Sequence, residues 1–315
     1  MKFEKIYIEN FRNFEKMELE LTNKNVIFGL NDIGKTNFLC AIRFLLDRDY
    51  RRNGFVDSDY FQKNIDNIIK ITLKINIEKD NDDDNKKIVK HMKGAISSTA
   101  TSVYIQLQAS YAKESLCGEP TLYWGTDILN LEDIPSNQAY YEIDKLFNIV
   151  YIDSSIQLGS IFKKYTRDIF KDANSLTSNE REKIKVTIET LNKSIAKLSN
   201  IIKIEGDLKK EYKKYRDEKN LSIAIRSEIE LDNVHSKLTP YICCGGDKTY
   251  PTSGDGRRKI LAYTLLTMEN RKLEERKINI FLIEELENHL HRSMQIALSD
   301  QLFQENLFKY IPILL

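Results

Sequence analysis

Three things are scarce in this chain, and each scarcity removes a class of function. No apolar run approaches the ~18 residues that a membrane-spanning helix needs, so no membrane span is expected. There is no excess charge of either sign: 48 Lys and Arg stand against 47 Asp and Glu. Bulk charge therefore neither draws the chain to nucleic acid nor keeps it away, and any basic surface has to be local. Cysteine is rare. Cys40, Cys117, Cys243 and Cys244 show neither a disulfide framework nor metal-ligand spacing, so a reduced, cytoplasmic setting is expected and the vicinal pair reads as strand filler. The opening "MKFEKIYIENF" carries charges through its apolar positions and does not have the form of a signal peptide. The acidic tract "KDNDDDNKK" (79–87) lacks the spacing and closing Glu of a calcium loop and reads as a solvated turn.

What remains is a globular composition, 41% apolar and 30% charged over 315 residues, enough for one large core or two modest ones. Residues 3–9 and "MELEL" (17–21) alternate apolar and polar, as half-buried strands do. "IIKITLKINIE" (68–78), "SVYIQLQASY" (102–111) and "TLYWG" (121–125) repeat the pattern and predict an antiparallel set. "NVIF" (25–28), "FNIVYID" (147–153) and "INIFLI" (278–283) are compact apolar runs; the first and last are of the kind buried on both faces. A closing strand is expected in "YIPILL", a helix from about His291, and a hairpin around "YICC" (241–244). Between the apolar runs, Ile184, Ile188, Leu191, Ile195, Leu198 and Ile202 form a short heptad seam. Glu205-Gly206-Asp207 then reads as a turn into a charged returning helix at 208–220, whose Lys-rich arm reads as a solvated face.

Three motifs carry chemistry. Gly29-Leu30-Asn31-Asp32-Ile33-Gly34-Lys35-Thr36 matches G-x-x-x-x-G-K-[ST], with an apolar strand before it and a helix after. The glycines let successive backbone N–H groups curl around phosphate oxygens, and the helix N-terminus adds its dipole. The phosphate cradle is expected from Gly29, Asn31, Asp32, Ile33, Gly34, Lys35, Thr36 and Asn37, with Lys35 reaching the β- and γ-phosphates of ATP and the Thr36 hydroxyl on Mg2+. "IFLIEELENHLH" (280–291) is an apolar strand that delivers acids at its C-terminal end; Glu284 is assigned to Mg2+ and Glu285 to the attacking water, as the catalytic residue. "TSGDGRRK" (252–259) opens a helix with small residues. Ser253, Gly254, Asp255 and Gly256 are expected as a second anion nest that caps the γ-phosphate bound by another copy; the plain alternative is a helix cap by Ser253.

With these motifs quoted, "IYIENFRNFEKMELELTNKNVIFGLNDIGKTNFLCAIRFLL" resembles the N-terminus of RecF/SMC-type ABC ATPases. "SGDGRRK" and "IEELENHLH" narrow the resemblance to the OLD family (overcoming lysogenization defect), which includes ATPases of bacterial anti-phage systems. The likeness covers about 1–50 and 250–300. It implies a P-loop NTPase of α/β class: an ABC-like head with a mixed sheet, a small antiparallel lobe and a helical-hairpin insert. The expected layout is head residues 1–176, insert 177–222 and head residues 223–315. The resemblance further implies an oligomer closed around ATP, a nuclease or toxin effector, DNA as a partner, Arg12 near the phosphates or DNA, and Gln157 helping to hold Mg2+.

The sequence departs from the family in places. It has Glu284-Glu285 where ABC proteins carry Asp-Glu, and Leu286 and Arg292 where prolines are frequent, and no Toprim nuclease half is expected in it. The family's switch histidine would follow "KYIPILL"; His289 and His291 do not replace it. A regulatory scaffold that binds nucleotide without hydrolysis, and an OLD endonuclease lacking its Toprim half, therefore stand beside the ATPase reading. A transporter subunit is disfavoured, because neither a Leu-Ser-Gly-Gly-Gln signature nor Asp-Glu-Pro is present.

Overall fold

The computed structural model describes residues 1–30, 33–78, 82–92, 95–96, 100–137, 140–153, 158–159, 161–163, 166, 177–215, 223–225, 255–271, 277–285, 290–304 and 309–314. Two compact units emerge, one formed by residues 1–156 with 254–315 and the other by 157–253. Among the described residues no helix is long and apolar enough to cross a membrane.

In the first unit the chain opens with β1 (Lys2–Phe11), β2 (Phe14–Glu20) and β3 (Lys24–Ile27). Helix α1 (Lys35–Leu46) and the single turn α2 (Arg48–Arg51) follow, then β4 (Ile69–Asn76), α3 (Asp83–His91), β5 (Ser102–Ala112) and β6 (Cys117–Gly125). Three two-residue strands, β7 (Glu132–Asp133), β8 (Ser136–Asn137) and β9 (Tyr140–Tyr141), lead into β10 (Phe147–Ile152).

The antiparallel expectation for the alternating segments holds. They form one six-stranded sheet in the order β2-β1-β4-β5-β6-β7. Its inner face, with Ile6, Ile8, Ile71, Leu73, Ile105 and Leu107, is buried. The compact apolar runs form a second sheet, in which β10 lies beside β11 (Ile278–Ile283), then β12 (Ile311–Leu314), then β3, all parallel.

Helix α1 lies between the sheets, against β4 and β5 on one side and β10 and β12 on the other. That is why it buries Phe38, Leu39, Cys40, Ala41, Ile42, Phe44, Leu45 and Leu46 rather than a single stripe. The opposite face of the parallel sheet packs on Tyr263, Leu298 and Leu302. Every residue of β11 is buried, Asn279 included, as its largely apolar run predicts. A buried ion pair, Arg51 with Asp144, fastens α2 to the segment before β10, and Lys277 Nζ donates to the Asp144 carbonyl (2.9 Å).

The second unit holds α4 (Ser178–Ile195) and α5 (Ser199–Tyr215). No residue of α4 is buried, and Leu191, Leu198 and Ile202 of the seam are exposed. In the first unit, α6 (Asp255–Arg271) precedes β11, and α7 (Arg292–Gln304) precedes β12.

Three local expectations are corrected. β3 is not buried on both faces: it is the edge of the parallel sheet, and Val26 is 41% exposed. An apolar run cannot reveal which strand ends the sheet. From residue 82 on, the acidic tract is a helix start rather than a turn, since Asp82 caps α3 by accepting from Asp84 N–H (2.9 Å). Asp82 also pairs with the Met1 amine, and Asp84 is buried beneath Tyr310, whose hydroxyl donates to it (2.9 Å). Glu205-Gly206-Asp207 makes no turn; α5 runs through it, and the break falls at 196–198. One glycine costs a helix only about 1 kcal/mol, too little to end it. The hairpin expected at 241–244, with Cys243 and Cys244, lies outside the described residues.

Candidate functional site

Because β3, β12, β11 and β10 run parallel, their C-terminal ends share one edge. That edge is where open parallel sheets bind ligands. β3 delivers the glycine-bracketed loop there and β11 delivers Glu284 and Glu285, with only β12 between them, a separation of roughly 10 Å from two strand spacings.

Within the loop, Gly34 sits at the start of α1 with φ 103°, in the left-handed region. A Cβ there would lie 2.3 Å from Asn13 Nδ2, so backbone conformation and space both demand glycine. Asn13 belongs to the β1–β2 turn, where Arg12 also has a positive φ, 51°. Asn13 Nδ2 donates to the Ile33 carbonyl (3.1 Å), and Asn37 Nδ2 donates to Asn13 Oδ1 (2.8 Å). Arg12 donates from Nη1 to Asn37 Oδ1 (2.9 Å) and from Nε to Asp59 Oδ1 (2.9 Å). The turn thus braces the loop, and Arg12 meets the first turn of α1 through Asn37. Lys35 Nζ donates back to the Gly29 carbonyl (2.7 Å), which lays the ammonium across its own loop. Thr36 is exposed at the helix start. Asn31 and Asp32 lie outside the described residues.

Glu284 lies one residue past β11, with its backbone N–H bonded to the Ile152 carbonyl (2.9 Å). Its Oε2 accepts from the Tyr151 hydroxyl (2.8 Å), while Oε1 is buried with no hydrogen-bond partner among the described residues. Burial pushes the Tyr151 phenol well above its usual range, and the bond to Glu284 adds to this, so the phenol stays protonated and donates. The Arg43 guanidinium of α1 lies 4.0 Å from the Tyr151 ring centroid and 3.9 Å from that of Tyr50. Glu285 is exposed at φ 47°, and its carbonyl accepts from Lys259 Nζ (2.8 Å). Lys259 is buried in α6, so the helix that follows the proposed nest is tied to the end of β11.

These groups suit a divalent cation only in part from protein. An orphaned carboxylate oxygen on a rigid strand end is a hard ligand of the kind Mg2+ takes. Among the described residues no group of three or more His, Cys, Asp or Glu is placed to hold a metal. A cation here would need phosphate oxygens and the Thr36 hydroxyl to complete its shell. Of the remaining expected residues, Asp255 and Gly256 open α6, while Ser253, Gly254 and Gln157 lie outside the described residues. Sequence reasoning passed over Asn13, Arg43, Tyr151 and Lys259.

Comparison with known proteins adds a family. The profile of the AAA ATPase domain family (AAA_15) matches residues 1–238. The chain is 42% identical over 315 residues to the Endonuclease GajA of Bacillus cereus (strain VD045), covering 98% of this chain and 54% of that protein. The DNA replication and repair protein RecF of Clostridium botulinum (strain Langeland) is 26% identical over 244 residues, covering 76% of this chain and 58% of that protein. The chain thus spans between half and three fifths of these curated relatives. Among solved structures, the recombination mediator protein RecF with ATP aligns with a TM-score of 0.47 at 16% identity, covering 99% of this chain and 91% of that one.

Proposed function

The chain belongs to the AAA ATPase domain family, and from that premise we propose that it binds ATP with Mg2+ and hydrolyses it between two copies of itself. The observation that carries the proposal is the shared sheet edge, where the glycine loop and the two glutamates stand one strand apart. In this reading Gly29, Asn31, Asp32, Ile33 and Gly34 turn backbone N–H groups to the phosphates, and Asn37 fixes the first helical turn. Lys35 exchanges the Gly29 carbonyl for the β- and γ-phosphate oxygens. Thr36 and the orphaned oxygen of Glu284 hold the cation, with Gln157 assisting. When bound, Mg2+ supplies charge neutralisation along the phosphates. Exposed Glu285 orients the attacking water. Arg12 acts through Asn37. Ser253, Gly254, Asp255 and Gly256 of a second copy cap the γ-phosphate, and symmetric closure gives a two-fold dimer.

One relative is named an endonuclease and another for DNA replication and repair. Their names support a DNA-directed activity, and our reading adds that closure around ATP controls it through a nuclease or another effector. Single-turnover hydrolysis by wild type and Glu285→Gln is the test. The expected result is intact ATP binding with a rate lowered by roughly 100-fold or more, the range for losing a general base. Equal and negligible rates with intact binding would favour the regulatory scaffold instead.

A further inference from the structure

We propose that Tyr151 is a positioning residue for the Glu284 carboxylate, and that Arg43 holds Tyr151 in place from α1. The inference rests on the reading of Glu284 as a cation ligand and adds what aims it. In the register of β10 and β11, Tyr151 stands opposite Leu282, and Ile152 opposite Ile283. Side chains alternate along a strand, so Tyr151, Leu282 and Glu284 share one face of the sheet. That face is the one covered by α1, because α1 packs against β10 and Ile280 and Leu282 join its core cluster.

A carboxylate at a strand end rotates freely unless one oxygen is held. The Tyr151 hydroxyl holds Oε2 with a charge-assisted bond of 2.8 Å. That choice leaves Oε1, the buried oxygen without a partner among the described residues, as the one presented. The tyrosine is fixed in turn. Arg43 inserts its guanidinium between the Tyr50 and Tyr151 rings, 3.9 and 4.0 Å from their centroids, while its Nε lies 3.5 Å from Asp47 Oδ2. Arg43 stands on the same helix as Lys35 and Thr36. One rigid rod therefore carries the phosphate-binding start and the clamp that aims the acid on the other strand.

If Tyr151 merely fills space, phenylalanine serves equally well, because it keeps the ring and the Arg43 stack and loses only the hydroxyl. The test uses the 315-residue chain as wild type, Tyr151→Phe, Arg43→Lys and Glu284→Gln. Mn2+ binding in the presence of a non-hydrolysable ATP analogue is read by electron paramagnetic resonance. Analogue affinity in chelator and thermal midpoint are read alongside.

Tyr151→Phe is expected to keep the midpoint and the chelator affinity while weakening Mn2+ binding by about 10- to 100-fold, the usual cost of removing a group that orients a metal ligand. Arg43→Lys should move Mn2+ binding in the same direction, because ammonium cannot stack as guanidinium does. Wild-type Mn2+ affinity in Tyr151→Phe, with Glu284→Gln impaired, overturns the positioning role and leaves the metal assignment intact. Wild-type Mn2+ affinity in Glu284→Gln overturns both.

Discussion

Replacing Gly34 by alanine tests whether the β1–β2 turn braces the phosphate loop. Two costs can be worked from the structure. A residue with a Cβ at φ 103° pays about 1–2 kcal/mol for left-handed backbone. The added carbon would also lie 2.3 Å from Asn13 Nδ2, so the amide must leave. Its departure breaks the bond to the Ile33 carbonyl and the bond from Asn37, each about 0.5–1.5 kcal/mol net. The sum is about 2–5 kcal/mol. It divides between unfolding free energy, if the loop stays strained, and nucleotide affinity, if the loop relaxes into another shape. Taken wholly in affinity it corresponds to roughly 30-fold up to several thousand-fold.

The assay pairs urea unfolding of the free protein with titration of an ATP analogue in the presence of Mg2+. Asn13→Ala supplies the control: it already loses both bonds, so adding Gly34→Ala to it costs only the backbone term, and the two effects should be less than additive by about 1–3 kcal/mol, the bond cost that both single variants share. If Gly34→Ala changes both quantities by less than about 0.5 kcal/mol, or if the two substitutions add, Asn13 does not brace the loop and the argument fails.

Two further outcomes follow from ion pairs away from the site. Asp144→Ala leaves Arg51 buried without its carboxylate and should lower stability by about 3–5 kcal/mol in urea unfolding, while Arg51→Met with Asp144→Leu should recover much of that loss. Lys145, and then His91, hold the Glu142 carboxylate below its usual 4.5. A carboxylate depressed in the folded state contributes stability that is complete above its unfolded value and fades as pH falls through the folded one. Glu142→Gln should therefore flatten the pH dependence of the thermal midpoint only below about pH 4.5, and an effect confined to neutral pH would contradict the assignment.

The parts of this molecule that the sequence made legible are those whose physics is local. The turn into α1 at Gly34 is read from a short run, because a glycine-bracketed loop between a strand and a helix is built from consecutive backbone. "INIFLI" is read as a buried strand because five of its six residues are apolar. The resemblance to OLD and RecF/SMC-type ATPases rests on about 1–50 and 250–300, and the family match over residues 1–238 with 42% identity to an endonuclease bears it out.

What escaped depends on strand order and register. Tyr151 is an ordinary strand tyrosine until β10 is known to lie beside β11 in the register that brings it to Glu284. Lys259 stands in the charged run "GRRK", which gives no sign of its burial. The apolar "NVIF" hid an edge strand for the same reason, since membership of a sheet is written locally and place in it is not.

The position of α1 bears on how the start of that helix is held. A helix packed on one face can rock about its axis, but this one is gripped by an antiparallel sheet on one side and a parallel sheet on the other. Its buried run from Phe38 to Leu46 leaves only the N-terminal turn at the surface. That turn is the proposed phosphate end, and Asn37 ties it to Arg12 and Asn13. Further along, Arg43 reaches Tyr151 and through it Glu284. A displacement of the helix start in response to a ligand must therefore either disturb the packing of both sheets or be passed along the rod to the acid. Close-packed interiors resist the first course. In the proposed reading, α1 is thus the structural link between the loop and Glu284, through Arg43 and Tyr151.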